Sequence, residues 1–214
     1  MGDGVLAGNT NANSLTVALD TNTAGIFSGD AVFSLRSHND ELSDVSLSNE
    51  SVTLLGQVNH YVNPVVSKVS GDGVFSVVGN TIELNFGEIE LGSGPVEAVL
   101  GILNDVLGPA DTLRGDFSFA SSSANYSGFS AFTGVEAGET QNGFLVGIDA
   151  LELGTISDIV TVQLFGFNVS GFEQALDPIQ LSVTANIIAA PVPLPPAVWM
   201  LISGVLVVLR ARPS

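Results

Sequence analysis

The side chains able to do chemistry in this chain are few. There is no cysteine, and the only histidines are His38 and His60, neither in metal-ligand or catalytic spacing with the other. His38-Asn39-Asp40-Glu41 has the residue types to recruit a cation, although such a cluster is more often a solvated loop. Glu88 and Glu90 sit two apart in an alternating run and so face the same side of a strand. Two carboxyls on one face suit glycoside hydrolysis only in a deep cleft, and small sandwiches rarely provide one. Asp72 in Gly71-Asp72-Gly73 resembles a fragment of a calcium loop, but the Asp-x-Asp-x-Asp ladder with its closing glutamate is missing. Serine is abundant, yet no Gly-x-Ser-x-Gly elbow occurs, nor a Gly-x-Gly-x-x-Gly or Walker sequence. The expectation is a protein without catalytic residues, cofactor or bound metal. Tyr61, Tyr126 and Phe129 are candidates to stack on sugars, with Phe129 more readily read as core. Ser121-Ser122-Ser123-Ala124-Asn125 reads as an exposed loop open to glycosylation.

The elements that would position these residues are strands. Only 13% of the 214 residues are charged, and 24 glycines punctuate short apolar runs, a pattern of many strands and turns. Ile82, Leu84 and Phe86 alternate with polar residues, as do Val96, Ala98, Leu100 and Ile102 up to Asn104. Phe117 and Phe119, then Phe129 and Phe132, mark shorter strands. Phe144 to Asp149, Ile159 to Phe165 and Ile179 to Ile187 complete a set that fits a Greek-key sandwich. Pro95 to Leu107 also fits a helical period, but its place after Gly92-Ser93-Gly94 favours a strand.

Composition excludes some partners. Residues 1–209 hold three of the five basic side chains and all 22 acidic ones, a net charge of −19. Such a field repels nucleic acid and anionic lipid. Without disulfides the fold must rest on its core.

An internal echo divides the chain. Gly4-Val5-Leu6-Ala7-Gly8-Asn9-Thr10 reads against Gly134-Val135-Glu136-Ala137-Gly138-Glu139-Thr140. The series continues through Leu19-Asp20 with Ile148-Asp149, Gly25 with Gly154, Ser28 with Ser157, Leu35 with Leu164, Val52 and Leu54 with Ile179 and Leu181, and Asn59 with Asn186. The later copy has a front half that the earlier lacks.

The C-terminal stretch is of another kind. Val192-Pro193-Leu194-Pro195-Pro196 leads into an apolar run, Ala197 to Leu209, followed by Arg210 and Arg212. A helix from Pro196 to Arg212 would be roughly 25 Å long, against a hydrocarbon core of about 30 Å. It spans only with thinning or snorkelling of the arginines. The apolar residues, Leu201, Ile202, Val205, Leu206, Val208 and Leu209 among them, favour insertion by a few kcal/mol in total, on the order of −2 to −5. Trp199 suits the interface, and Arg210 with Arg212 the cytoplasmic side.

These residues resemble the PEP-CTERM sorting tail recognised by exosortases, in its Val-Pro-Leu-Pro-x-Ala-Val-Trp form. Pro193 and Pro195 match the Pro-x-Pro element, although Pro-Glu-Pro is more usual, and Pro213-Ser214 replaces a longer basic tail. The resemblance implies secretion, transient membrane anchoring and processing by an exosortase-type enzyme at the envelope of a Gram-negative bacterium that makes exopolysaccharide. A second resemblance rests on Leu84-Asn85-Phe86-Gly87, Gly92, Leu100-x-Ile102-x-Asn104 and Ala137-Gly138-Glu139-Thr140. It is to the immunoglobulin-like modules known as choice-of-anchor D or ASH domains.

The expected architecture is therefore all-β. Residues 1–66 form the back half of an immunoglobulin-like module, 67–74 a linker and 75–188 a complete immunoglobulin-like β-sandwich. Residues 189–214 form the sorting tail with a single C-terminal hydrophobic helix. Met1-Gly2-Asp3-Gly4 starts no signal peptide, and with the half-module this leads to the expectation that the chain is truncated at Met1. The expected function is that of a non-enzymatic surface or extracellular-matrix protein linked to exopolysaccharide or biofilm. The alternative is a secreted carbohydrate-binding or adhesion module, with calcium as a candidate ligand.

Overall fold

The computed structural model describes residue 9 and residues 16–191, and every regular element among them is a β-strand. The expected C-terminal helix is corrected accordingly. No helix occurs among the described residues, and the segment that was to form it lies outside them. Apolar length signals insertion rather than helix. Helices of this length are marginal in water, and Val and Ile are middling helix formers.

Fifteen strands follow one another. The first four are β1 (Gly25–Phe33), β2 (Arg36–Asn39), β3 (Leu42–Ser46) and β4 (Glu50–Val58). Then come β5 (Pro64–Gly71), β6 (Val74–Val78), β7 (Thr81–Glu90), β8 (Val96–Asn104) and β9 (Thr112–Phe119). The last six are β10 (Asn125–Ser127), β11 (Phe132–Val135), β12 (Thr140–Ile148), β13 (Gly154–Phe167), β14 (Glu173–Ala175) and β15 (Ile179–Ile188).

From β5 onward the strands build a two-sheet sandwich. One sheet runs β10-β12-β8-β5, the other β11-β9-β13-β15-β7-β6, with β14 beside β13. The chain changes sheet at most of its connections, and each crossing puts an alternating strand on the shared core. Ala98, Leu100 and Ile102 of β8, with Val146 and Ile148 of β12, meet Val160, Val162 and Leu164 of β13 and Leu181, Val183 and Ala185 of β15 in that core. Each fully buried Leu, Ile or Val contributes about 1.5–3 kcal/mol. The sandwich closes where β15 lies parallel to β7, the rest of its ladder being antiparallel. A bulge between Asn85 and Glu88 shifts this register by one residue. Gly87, at φ 70°, makes the turn there. The buried positions of β7 therefore pass from Ile82 and Leu84 to Ile89, and Phe86 is only partly buried.

The stretch 67–74, expected as a linker, belongs to the sandwich. β5 pairs with β8, β6 pairs with β7, and Gly71-Asp72-Gly73 turns between the two sheets. Its pattern is hard to read because Lys68 takes an inward position. Its Nζ reaches the carbonyls of Gly71 (3.1 Å), Asp72 (3.2 Å) and Gly73 (2.6 Å).

The strands β1 to β4 belong to neither of these sheets. β1 pairs with β4 from Gly25↔Val58 to Phe33↔Glu50, and β2 pairs with β3 between them. The echo aligns β1 and β4 with β13 and β15, which pair antiparallel in the same way. Yet β13 and β15 bury Val160, Val162, Leu181 and Val183, whereas Ile26 and Val32 of β1 and Val52 and Leu55 of β4 are exposed.

One end of the sandwich is tied by a buried polar residue. Asn104, the last residue of β8, is fully buried. Its Oδ1 accepts from the Asn63 N–H at 3.1 Å, and its Nδ2 donates to the carbonyls of Asp111 (3.2 Å) and Val135 (3.3 Å). Its own backbone bonds to Glu139 and Gly138. Replacing Asn104 with Leu keeps the side-chain branching but orphans these groups, so a loss of about 3 kcal/mol is expected in urea denaturation. A loss below about 0.5 kcal/mol, the range of ordinary surface changes, would show that the tie is idle.

Candidate functional site

The sorting-motif residues Val192, Pro193, Leu194 and Pro195, the apolar residues Ala197, Trp199, Leu201, Ile202, Val205, Leu206, Val208 and Leu209, and the basic Arg210 and Arg212 all lie outside the described residues. The other candidates are placed, and most prove separate from one another.

His38 is on the exposed β2, with Nδ1 2.7 Å from Asp44 Oδ1 and Nε2 3.2 Å from Asp40 Oδ1. The hydrogen bond and charge of Asp44, then the bond to Asp40, raise its pKa above the ordinary 6.5. Glu88 and Glu90 do share the outward face of β7, on a shallow surface with Asp72 and Ser93. Among the described residues no group of three or more acidic or histidine side chains is placed to hold a metal ion. The carbonyls of the turn that resembles a calcium loop point at the Lys68 ammonium, which supplies a positive charge from within the chain.

Tyr126 and Phe129 are not exposed platforms. They sit half-buried with Phe117, Phe119, Phe132 and Phe144 in one aromatic cluster, with centroid spacings such as 5.2 Å for Tyr126–Phe129 and 5.0 Å for Phe117–Phe144. Beside this cluster the loop Ser121-Ser122-Ser123-Ala124-Asn125 wraps the buried carboxyl of Asp158. Asp158 Oδ2 accepts from the N–H groups of Ser123 and Ala124, both at 2.7 Å, and from the Tyr126 hydroxyl at 3.2 Å. Burial pulls this pKa up, but the amides of Ala124 and Ser123 and the hydroxyls of Ser121 and Tyr126 outweigh it and hold the group below its ordinary 3.8. The Tyr126 phenol is pushed well above 10, first by burial and then by the Asp158 charge.

Tyr61 differs from the other two aromatics, being 68% exposed. It follows His60, whose N–H donates to Pro109 O and whose carbonyl accepts from Asp111 N, both at 2.9 Å, so residues 59–63 are laid beside the 109–111 turn. Val62 then crosses Gly166 of β13, where a Cβ would come within 2.9 Å of Val62 Cγ2; only glycine permits that approach. Beyond β13, Asn168 to Gly171 form a tight turn closed by Gly171 N to Asn168 O at 3.1 Å. This turn delivers Phe172 against Tyr61, with centroids 5.8 Å apart and planes 39° from parallel.

Under this pair lies Asp111, only 2% exposed. Its Oδ1 accepts from Asn59 Nδ2 at 2.9 Å and from Asn168 Nδ2 at 2.8 Å. Its Oδ2 has no hydrogen-bond partner among the described residues, and Asp111 lines the cleft beside the pair. The cleft has a volume of about 160 Å³, lined by Tyr61, Val62, Asp111, Gly166, Phe172, Gln174 and Leu176. Gln174 and Leu176 also line a larger cleft of about 650 Å³ that runs past Pro64 and Asn80 to Asp177, between the β5 and β6 edges. Sequence reading found Tyr61 but missed Asp111, Asn168, Phe172 and Gln174. The turn residues Gly108-Pro109 and Asn168 to Gly171 were the only signals available, and they mark turns rather than a shared site.

No family model matches this chain, and no curated protein matches it. Among solved structures it is similar to a point mutant of CfaE, the CFA/I adhesin of enterotoxigenic E. coli. The identity is 8%, the match covers 79% of this chain and 59% of that one, and the TM-score is 0.34. It is also similar to the Yersinia pseudotuberculosis adhesin InvE, at 12% identity over 79% of this chain and 51% of that one, with a TM-score of 0.27. The chain thus matches little more than half the length of either adhesin.

The depressed Asp158 carboxyl fixes the sign of an acid effect. A group whose native pKa lies below its unfolded value adds stability above the unfolded value, and that stability is lost as pH falls through the native one. Asp158→Asn should therefore be less stable than the parent at pH 7, by about 2 kcal/mol, and the gap should narrow on going below pH 4. Urea melts at several pH values check this, and a gap that widens in acid contradicts it.

Proposed function

We propose that this chain is a non-enzymatic surface or extracellular-matrix protein of a Gram-negative envelope, sorted through its C-terminal segment by an exosortase-type enzyme. The observation that carries the reading is the order Val192-Pro193-Leu194-Pro195, apolar run, Arg210 and Arg212, placed directly behind an acidic β-sandwich. The apolar run gives a transient hold on the membrane, the two arginines stay on its cytoplasmic side, and the sandwich faces outward. A net charge of −19 over residues 1–209 keeps such a body soluble and away from anionic headgroups. The setting that fits is an envelope rich in exopolysaccharide or a biofilm matrix.

A second reading, a secreted carbohydrate-binding or adhesion module, is favoured by one observation. Tyr61 presents an exposed aromatic face beside the partly unpaired carboxyl of Asp111. Calcium dependence is the weaker form of this reading, because Lys68 serves the carbonyls that a cation would take.

Expression of the chain behind a secretion signal, in cells with and without the sorting enzyme, tests the first reading. With the enzyme, a shortened form is expected at the surface or in the medium. Without it, or with Pro193→Ala and Pro195→Ala combined, full-length protein is expected to collect in the membrane fraction. Full-length protein that is soluble and identical in all three cases would contradict it.

A further inference from the structure

We infer that the cleft under Tyr61 and Phe172 is a binding site for an uncharged oligosaccharide, with Asp111 as its hydroxyl acceptor. This deepens the carbohydrate-binding reading by assigning it residues and a ligand class, and it is independent of how the chain is sorted.

Two features of the cleft converge on sugar. An apolar ring face offered to solvent at the mouth matches the C–H face of a pyranose. Tyr61 offers such a face, and Phe172 packs against it with centroids 5.8 Å apart and planes 39° from parallel, which holds the Tyr61 ring in place. At the floor, Asp111 is almost wholly buried, and its Oδ1 already takes two asparagine amides at 2.9 and 2.8 Å. Those two bonds fix the carboxyl plane and leave Oδ2 to accept from a ligand, so the acceptor is held in place before any ligand arrives. A sugar hydroxyl is a donor of the right size to take the place of water at this oxygen.

Length and charge narrow the ligand. A cleft of about 160 Å³ takes one sugar ring, while the adjoining 650 Å³ cleft, reached past Gln174 and Leu176, has room for further units. Its lining combines the polar Gln174, Asn80 and Asp177 with the apolar Pro64 and Leu176, a mixture suited to rings that are polar at the rim and apolar on the faces. The floor carboxyl and a net charge of −17 repel uronates and other anionic sugars. The ligand is therefore a neutral hexose or N-acetylhexosamine chain.

The test is a glycan array of neutral and uronate oligosaccharides probed with the full chain. Titration calorimetry of the best hit then follows, against Tyr61→Ala, Phe172→Ala and Asp111→Asn. Binding of at least one neutral glycan and of no uronate is expected. Each variant should bind about tenfold more weakly or worse, a change of about 1.4 kcal/mol. Tyr61 and Phe172 are exposed enough for their variants to keep the parental melting temperature, and Asp111→Asn retains the Oδ1 acceptor that holds the two loops. An array on which no neutral glycan binds removes the carbohydrate reading altogether. A neutral glycan that binds the Tyr61 and Phe172 variants as tightly as the parent keeps that reading but overturns this site.

Discussion

A sandwich whose strands change sheet so often has long connections at its ends, and something must hold them down. Asp158 does so for the 121–126 loop, and at the Asn104 end that work falls on two buried polar side chains, Asn104 and Asp111. Asn104 ties the 63, 111 and 135 segments through its side chain, and its backbone ties 138 and 139. Asp111, within hydrogen-bond reach of Asn59 and Asn168, carries the same tie to the segment ahead of β5 and to the turn after β13. Inside a core a hydrogen bond is stronger than in water, and an unmade one costs more. The network therefore specifies where these segments lie rather than merely adding stability. The cleft beside Tyr61 follows from it, because each wall of that cleft is a segment so held.

Much of the sandwich was legible as alternation. Ile82 and Leu84, Ala98 to Ile102, Val160 to Leu164 and Leu181 to Ala185 have period two, and the structure buries them as that period requires. The strands that the echo aligns, β1 with β4 and β13 with β15, are antiparallel pairs in both places, in different registers. Where alternation failed, a physical cause is visible. β5 escaped notice because Lys68 takes an inward place, its charge satisfied by three turn carbonyls that lie in the chain beyond it. Phe86 was expected in the core but lies at a bulge, which moves the buried face on to Ile89.

The candidate site was legible only in one residue, and the reason is general. Tyr61, Asp111, Asn168 and Phe172 are brought together by crossings between sheets, and no local pattern records contacts over 50 or 100 positions. Tyr126 and Phe129 illustrate the converse. Side chains alike in type to Tyr61 are packed into an aromatic cluster, because neighbouring strands supply Phe117, Phe132 and Phe144. Residue type told what each could do, and topology decided which of them meets solvent.

The chain thus joins an ordered acidic sandwich, carrying one polar-floored cleft, to a C-terminal segment with the composition of an address. Its central physical claim is that buried amide bonds at the Asn104 end lock the cleft-forming segments to the core. Amide hydrogen exchange on the full chain, resolved by residue, measures this directly. The N–H groups of Asn63, Asp111 and Gly138 are expected to exchange as slowly as those of Val160 and Leu164, opening only with the whole sandwich. Exchange of these three at loop rates while β13 stays protected would contradict it.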